Sequence, residues 1–142
     1  MKIRILPLFA LPLLAACELA TGPDADPRPG IIQSPYLQAP VVVAPATVQA
    51  GEPFQVTVRT LGFSGCWVEA RTTVTSEPGA ATVRVYDRTV GEVCTAALKT
   101  IDHTAGLRFD APGTARIVVE GRGDPSLGET GVVTIERTVT VQ

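Results

Sequence analysis

The residues of this chain that could act in catalysis or bind a metal do not show the spacing of a recognised catalytic or metal-binding motif. The 142-residue sequence has one histidine, His103, and three cysteines, Cys17, Cys66 and Cys94. Asp102 precedes His103, but acid–base catalysis needs a further reacting group within hydrogen-bonding reach. The sequence contains no CxxC pair, nucleophile elbow, phosphate loop or calcium-loop spacing. We therefore predict a solvated loop around His103, no metal, no cofactor and no enzymatic activity.

The first sixteen residues have the composition of an export signal. Lys2 and Arg4 give a positive start, and residues 5–16 are apolar and interrupted by two prolines. This apolar run is too short to cross a bilayer as a helix, which needs about 20 residues. A positive start followed by a short apolar stretch is typical of a cleaved signal. Residues 1–16 are therefore predicted to be a signal peptide.

The end of the leader, Leu14-Ala15-Ala16-Cys17, resembles the lipobox of bacterial lipoproteins. In that family the signal is cut before the cysteine, whose thiol receives a diacylglycerol and whose amine is usually acylated. The resemblance implies a lipid anchor at Cys17 and a place in the bacterial cell envelope. Glu18, next to that cysteine, favours the outer membrane, because in enteric bacteria an Asp there favours the inner one. A plain secretory signal is the alternative.

Residues 17–40 are predicted to be the lipidated cysteine and a Pro-rich linker. Prolines recur through residues 23–45 with Gly, Asp and Ala between them, and such segments favour extended conformations without regular structure. We expect residues 18–38 to be loose and residues 39–50 to be partly docked. Val41-Val42-Val43, with Pro on both sides, fits a first edge strand.

Charge and composition indicate an all-β protein that does not bind nucleic acid. The formal net charge is −2, and no basic stripe is present to neutralise phosphates. Lys2 and Lys99 are the only lysines, whereas Val and Thr, which favour strands, are abundant. Gly and Pro lie between the Val- and Thr-rich runs, as turn residues do.

Strand periodicity is clearest in residues 54–75, which read as two strands around a Gly-rich corner. Apolar and polar residues alternate there, as a half-buried strand requires. Further strands are predicted over residues 81–89, 94–99, 107–109, 114–119 and 131–142, with a loop at residues 102–106. The apolar residues that alternate along these strands, and are predicted to face inward, are Phe54, Val56, Val58, Cys66, Val68, Ala70, Val74, Ala81, Val83, Val85, Cys94, Ala96, Leu98, Ala115, Ile117, Val119, Val133, Ile135, Val139 and Val141.

Two segments resemble immunoglobulin-like domains. Residues 48–58 are similar to the entry of the second strand in bacterial examples, and residues 109–119, with the turn Pro112-Gly113, are similar to the approach to the sixth strand. The resemblance implies an immunoglobulin-like antiparallel β-sandwich of about seven strands over residues 41–142. The disulfide typical of that fold joins the second and sixth strands. Here Cys66 and Cys94 lie on the predicted third and fifth strands.

If Cys17 carries lipid, Cys66 and Cys94 remain, and an exported chain with two cysteines left suggests one disulfide. A metal site or a catalytic thiol are the alternatives. Cys66 and Cys94 each begin a predicted strand at the same end of the domain. In a single meandering sheet they would lie two strands apart, roughly 9–10 Å, which exceeds the reach of a disulfide. A bond therefore predicts that the chain crosses to a second sheet after residue 90.

Two surface features are candidates for partner binding. By alternation Trp67 faces outward beside Glu69 and Arg71, where an exposed Trp could anchor a partner. The alternative is that Trp67 packs over the sheet edge or is covered by the Pro-rich segment, for example by Tyr36. Arg122-Gly123-Asp124 matches the integrin-binding tripeptide, although Gly-Asp-Pro is also ordinary turn chemistry.

Taken together, these features predict a membrane-anchored lipoprotein of the periplasm or outer membrane, with a non-catalytic structural or protein-binding domain. A small-ligand or carbohydrate-binding accessory module is the second hypothesis. A concave polar surface beside Trp67 would favour a ligand, and a flat apolar strip would favour a protein partner.

Overall fold

The computed structural model describes residues 26–142, and two β-sheets pack there as a sandwich. The all-β sandwich predicted from the sequence is thus confirmed. The described residues contain ten strands rather than about seven, because four short strands accompany six long ones. The strands are β1 (Arg28–Pro29), β2 (Ile31–Gln33), β3 (Val42–Val43), β4 (Thr47–Val48), β5 (Pro53–Gly62), β6 (Trp67–Glu77), β7 (Ala80–Thr89), β8 (Lys99–Arg108), β9 (Gly113–Gly123) and β10 (Val132–Val141).

The two sheets differ in size and in strand direction. The small sheet has the antiparallel order β3-β5-β8. The large sheet contains β6, β7, β9, β10 and β4 in that order, with β1 and β2 added beside β7 and β9. Strands β7 and β9 pair in parallel, so the large sheet is mixed rather than purely antiparallel.

Alternating aliphatic side chains form the core between the sheets. Val56 and Val58 of β5 are fully buried, as are Val83 of β7 and Ile117 and Val119 of β9. Their spacing of two follows from the pleat, which turns alternate side chains to the same face. The inward positions predicted for these strands are confirmed.

The N-terminal described segment joins the large sheet, so the expectation that residues 18–38 are loose is wrong for the strands β1 and β2. Residues 18–25 of that prediction lie outside the described residues. β1 pairs antiparallel with β7, and β2 pairs parallel with β9. Between them the Gly30 N–H donates to the Val85 carbonyl at 2.8 Å, and the Arg122 N–H donates to the Gly30 carbonyl at 2.9 Å. Ile31 and Ile32 are each only 1% exposed. A Pro-rich composition therefore did not prevent β1 and β2 from forming on either side of Gly30.

Val42 and Val43 form the edge strand β3 of the small sheet, where they pair with Val58 and Thr57 of β5. This agrees with the prediction of a first edge strand between two prolines. Arg59 stabilises the same segment, because its backbone N–H donates to the Val41 carbonyl at 2.8 Å.

Cys66 and Cys94 form the predicted disulfide, with a Cα–Cα distance of 5.3 Å. The bond links the residue before β6 to the connection between β7 and β8. The chain passes there from the large sheet to the small one, which confirms the crossing inferred from the disulfide constraint. The strand predicted at residues 94–99 is wrong for residues 94–98, because β8 begins at Lys99 and Leu98 is 52% exposed.

Candidate functional site

His103 lies inside a strand, not in a solvated loop as the sequence predicted. Residues 102–106 belong to β8, and the His103 side chain is fully buried. Ile101, Ala105 and Leu107 point inward with it, at the spacing of two that a strand requires. The inward alternation is therefore present in the sequence, but Asp102 and Gly106 are residue types that favour loops.

Four polar side chains meet around this histidine, and together with it we call them the His103 cluster: Thr60, Glu69, Thr72, Asp87 and His103. The imidazole Nε2 lies 2.8 Å from Asp87 Oδ1 and 3.3 Å from Thr60 Oγ1. The Nδ1 atom lies 3.0 Å from Thr72 Oγ1 and 3.5 Å from Glu69 Oε1. Thr72 in turn donates its hydroxyl hydrogen to Glu69 at 3.0 Å.

The His103 cluster joins the two sheets. Thr60 and His103 belong to β5 and β8 of the small sheet, whereas Thr72 and Asp87 belong to β6 and β7 of the large sheet. Because Asp87 and His103 are both almost completely buried, each needs a partner to offset the loss of hydration. The cluster therefore fixes the relative position of the sheets near the disulfide end.

A hydroxyl, an imidazole and a carboxylate lie in sequence at Thr72, His103 and Asp87, as they do in nucleophilic catalytic sites. Here the imidazole has no exposed surface, and the Thr72 hydroxyl also contacts Glu69. A nucleophile and its base must reach a substrate to act. The arrangement is therefore suited to holding the sheets together.

Asp87 has one carboxylate oxygen, Oδ2, without a hydrogen-bonding partner among residues 26–142. This oxygen lies against Gly30, where an added Cβ would be 2.9 Å from it and 2.5 Å from Thr60 Cγ2. A side chain at position 30 would thus collide with the cluster, which explains why β1 and β2 meet at a glycine.

The predicted grouping of Trp67, Glu69 and Arg71 on one face is wrong. A bulge between Glu69 and Arg71 changes the register, so that Glu69 lies opposite Asp87 and Arg71 lies opposite Tyr86. Opposite residues share a face, so Glu69 joins the His103 cluster and Arg71 lies on the outer face. There the Arg71 guanidinium stacks over the Tyr86 ring at 4.4 Å.

Trp67 is half-buried beside a cavity of about 50 Å³, lined with Asp26, Arg28, Arg88 and Thr89. Sites for small ligands usually enclose about 300–1,000 Å³. The concave surface that would favour a ligand beside Trp67 is therefore too small at this position.

Asp124 of the tripeptide Arg122-Gly123-Asp124 is fully buried, and the tripeptide does not lie in an exposed loop. Arg122 and Gly123 end β9, and Asp124 caps the short 3-10 helix Pro125–Leu127. The Asp124 carboxylate accepts from the Ser126 hydroxyl at 2.6 Å, the Ser34 hydroxyl at 2.7 Å and the Ser126 backbone N–H at 2.9 Å. Its carboxylate is therefore committed to these internal bonds.

Burial by itself raises the pKa of Asp124, but the hydrogen bonds from Ser126 and Ser34 outweigh it. Together with the positive charge of Arg122, they lower the pKa below the ordinary value for an aspartate. The ionised carboxylate is therefore stabilised in the folded chain.

The outer edge of β6 is unpaired. β6 pairs only with β7, and within residues 26–142 no strand lies on its other side. The two strands form a hairpin around Pro78-Gly79, with Glu77 opposite Ala80. Residues that flank a two-residue turn exchange hydrogen bonds with each other, and such pairs alternate along the ladder.

This alternation decides which backbone groups of β6 are free. Residues 71, 73, 75 and 77 bond to β7, so Thr72, Val74 and Ser76 direct their N–H and C=O groups away from the sheet. We call residues 71–77 the open edge. Val74, at its centre, is 39% exposed.

A cleft of about 370 Å³ lies at the end of the open edge, between the β6–β7 turn and the β8–β9 connection. Its lining includes Glu77, Pro78, Arg108, Phe109 and Asp110. Arg108 and Asp110 form an exposed ion pair at 2.8 Å on one wall.

Cys17 lies outside the described residues. From residue 26 onward, no helix is long and apolar enough to cross a membrane, and no group of three or more His, Cys, Asp or Glu side chains is placed to hold a metal ion. No family model, curated protein or solved structure matches this chain.

Replacing the buried histidine should destabilise the fold. His103→Ala leaves Asp87 buried without its imidazole partner and opens a cavity, so we expect the free energy of unfolding to fall by about 2–4 kcal/mol. Urea denaturation monitored by circular dichroism measures this change. Asp102→Ala is the matched control: the exposed Asp102–Arg59 pair at 3.6 Å should contribute less than about 1 kcal/mol. Equal losses of unfolding free energy in the two variants would contradict the conclusion that the buried His103 cluster stabilises the fold.

Asp124 should make stability depend on pH. Because its folded-state pKa is lowered, the ionised carboxylate stabilises the fold above the unfolded-state pKa of about 3.9. That stabilisation is lost as the pH falls through the folded-state pKa. Asp124→Asn should therefore be less stable than the parent at pH 7, and the difference should shrink towards pH 3 in urea titrations. The exposed Asp110→Asn is the control, and a difference that stays constant with pH would refute the argument.

Proposed function

We propose that this chain is a lipid-anchored protein of the bacterial cell envelope whose β-sandwich binds a protein partner and performs no catalysis. The observation that carries the binding role is the open edge of β6. Unpaired strand edges accept an added strand, because their free N–H and C=O groups form new main-chain hydrogen bonds. The open edge has three such residues, Thr72, Val74 and Ser76.

The composition of the open edge supports this role. Proteins usually protect exposed edges with Lys, Pro or inward-pointing charges. Residues 72–76 are instead uncharged Thr, Val and Ser, which favour strands. The bulge at Ala70 and the turn at Pro78-Gly79 bound this stretch.

The membrane anchor rests on the lipobox-like sequence around Cys17. Ten residues separate Cys17 from the first strand at Arg28. An extended segment of this length reaches about 30 Å, so the sandwich would stand close to the membrane surface. Glu18 favours the outer membrane as the final location.

The non-catalytic part of the proposal is supported by the burial of His103 and by the internal bonding of its cluster. A small-ligand or carbohydrate module is the second candidate, favoured by the size of the cleft near Phe109. The open edge is the stronger basis for a function than either cavity. At the cleft, the charged groups of Arg108 and Asp110 already pair with each other, and the cavity beside Trp67 is small.

The anchor is tested by metabolic labelling. Cys17→Ser should abolish incorporation of labelled palmitate, whereas Cys94→Ser, which removes only a sulfur of the disulfide, should keep the label. Detection is by fluorography of the immunoprecipitated chain. Labelling that persists in Cys17→Ser would remove the anchor from the proposal.

The binding edge is tested by chemical cross-linking in intact cells. Val74→Pro removes an N–H that points away from β7, so it blocks strand addition while the β6–β7 ladder keeps its bonds. We expect cross-linked partners to be lost in Val74→Pro and kept in Thr73→Ala, which changes only an outer-face side chain. Melting temperatures of both variants control for unfolding. Unchanged cross-linking in a folded Val74→Pro chain would refute the edge as binding surface.

A further inference from the structure

The open edge is nearly symmetric about Val74. Reading outward from Val74, Thr73 and Thr75 come first, then Thr72 and Ser76, and finally Arg71 and Glu77. When an edge pairs with an antiparallel copy of itself around its central residue, each residue meets its counterpart on the other side of the centre. The symmetric positions here are chemically similar, except for the last pair, which has opposite charges.

We propose that the partner of the open edge is a second copy of this chain, paired antiparallel through β6 with Val74 on the two-fold axis. Such an interface uses the same surface on both copies, as two-fold dimers do. The inference rests on the proposed function, since it names the partner of the same edge.

The backbone hydrogen bonds permit this register. The free groups of β6 belong to Thr72, Val74 and Ser76, and in this register Val74 meets Val74 while Thr72 meets Ser76. Residues with free groups thus lie opposite residues with free groups, and each pair can exchange two N–H to C=O bonds. The paired strands would join the two large sheets into one continuous sheet.

The charges of Arg71 and Glu77 favour the register centred on Val74 over the registers centred on Thr73 or Thr75. Arg71 and Glu77 are both exposed, and both lie on the outer face because an even number of positions separates them along the strand. Only with Val74 at the axis does Arg71 of one copy lie directly opposite Glu77 of the other. Centring the pair on Thr73 or Thr75 would place Arg71 opposite Thr75 or Gly79 instead. Opposite charges facing each other across strands stabilise a pair, and the two-fold axis supplies this contact twice.

Val74 provides the apolar contact at the centre. Its side chain lies opposite buried Val83 on the inner face of the sheet, yet it remains 39% exposed because nothing within residues 26–142 continues the sheet. A second Val74 would cover this exposed apolar surface. A second β6 strand would therefore pair with the free N–H and C=O groups, with Arg71 and Glu77, and with the exposed Val74 at the same time.

The test uses two differently tagged copies of the full chain, co-expressed and extracted in mild detergent, with the co-purified fraction measured. Arg71→Glu in both copies places two carboxylates opposite each other at each charged contact, and Glu77→Arg in both copies places two guanidinium groups there. Each change should weaken association by about tenfold. Pairing an Arg71→Glu copy with a Glu77→Arg copy restores an opposite-charge contact at both positions, so association should return.

Recovery in the mixed pair separates the proposal from a structural effect of either substitution, since loss of the Arg71–Tyr86 stacking would persist in the mixture. The double variant Arg71→Glu/Glu77→Arg should also associate with itself. Absence of association between parental copies, or equal association of all pairs, would overturn the proposal. Neither result would affect palmitate labelling at Cys17 or the loss of another cross-linked partner in Val74→Pro, so the proposed function is judged separately.

Discussion

The hydrogen bond between His103 and Asp87 joins the two sheets inside the sandwich, and the position of much of the surrounding chain follows from it. Both side chains are excluded from water, so the bond must persist for their burial to be tolerated. Thr60 and Thr72 add hydrogen-bonding partners from β5 and β6. Gly30 is needed beside the pair because any larger residue would collide with Thr60. The cluster therefore fixes the N-terminal strands as well as the spacing of the sheets.

The disulfide restrains the same end of the sandwich. Cys66 precedes β6, and Cys94 lies in the connection that carries the chain from β7 to β8. A covalent bond and a buried polar cluster thus act together where the chain changes sheets. The β6–β7 turn lies at the other end of the sandwich, where neither the disulfide nor the His103 cluster restrains it. The cleft and most of the open edge lie towards this end, while Thr72 of the open edge belongs to the His103 cluster.

The bulge in β6 connects the cluster to the open edge. By shifting the register, it directs Glu69 towards His103 and Arg71 towards the outer face. Without this shift Glu69 and Arg71 would share a face, and Glu69 would point away from His103. The extra residue therefore serves the internal contacts of β6, whereas residues 71–77 keep the register that the β6–β7 turn sets.

The amino-acid sequence by itself determined the sandwich, most inward positions and the pairing of Cys66 with Cys94. These features depend on the alternation of apolar and polar residues along each strand and on the order of the strands in the chain. Both can be recognised from short stretches of sequence. The tertiary structure alone decided the position of His103, the strands β1 and β2 and the burial of Asp124. In each case a local signal, such as Pro, Gly or a polar side chain, favoured a loop. Hydrogen bonds to residues distant in the sequence, Asp87, Val85 and Ser34, outweighed that preference, and no local pattern encodes such partners.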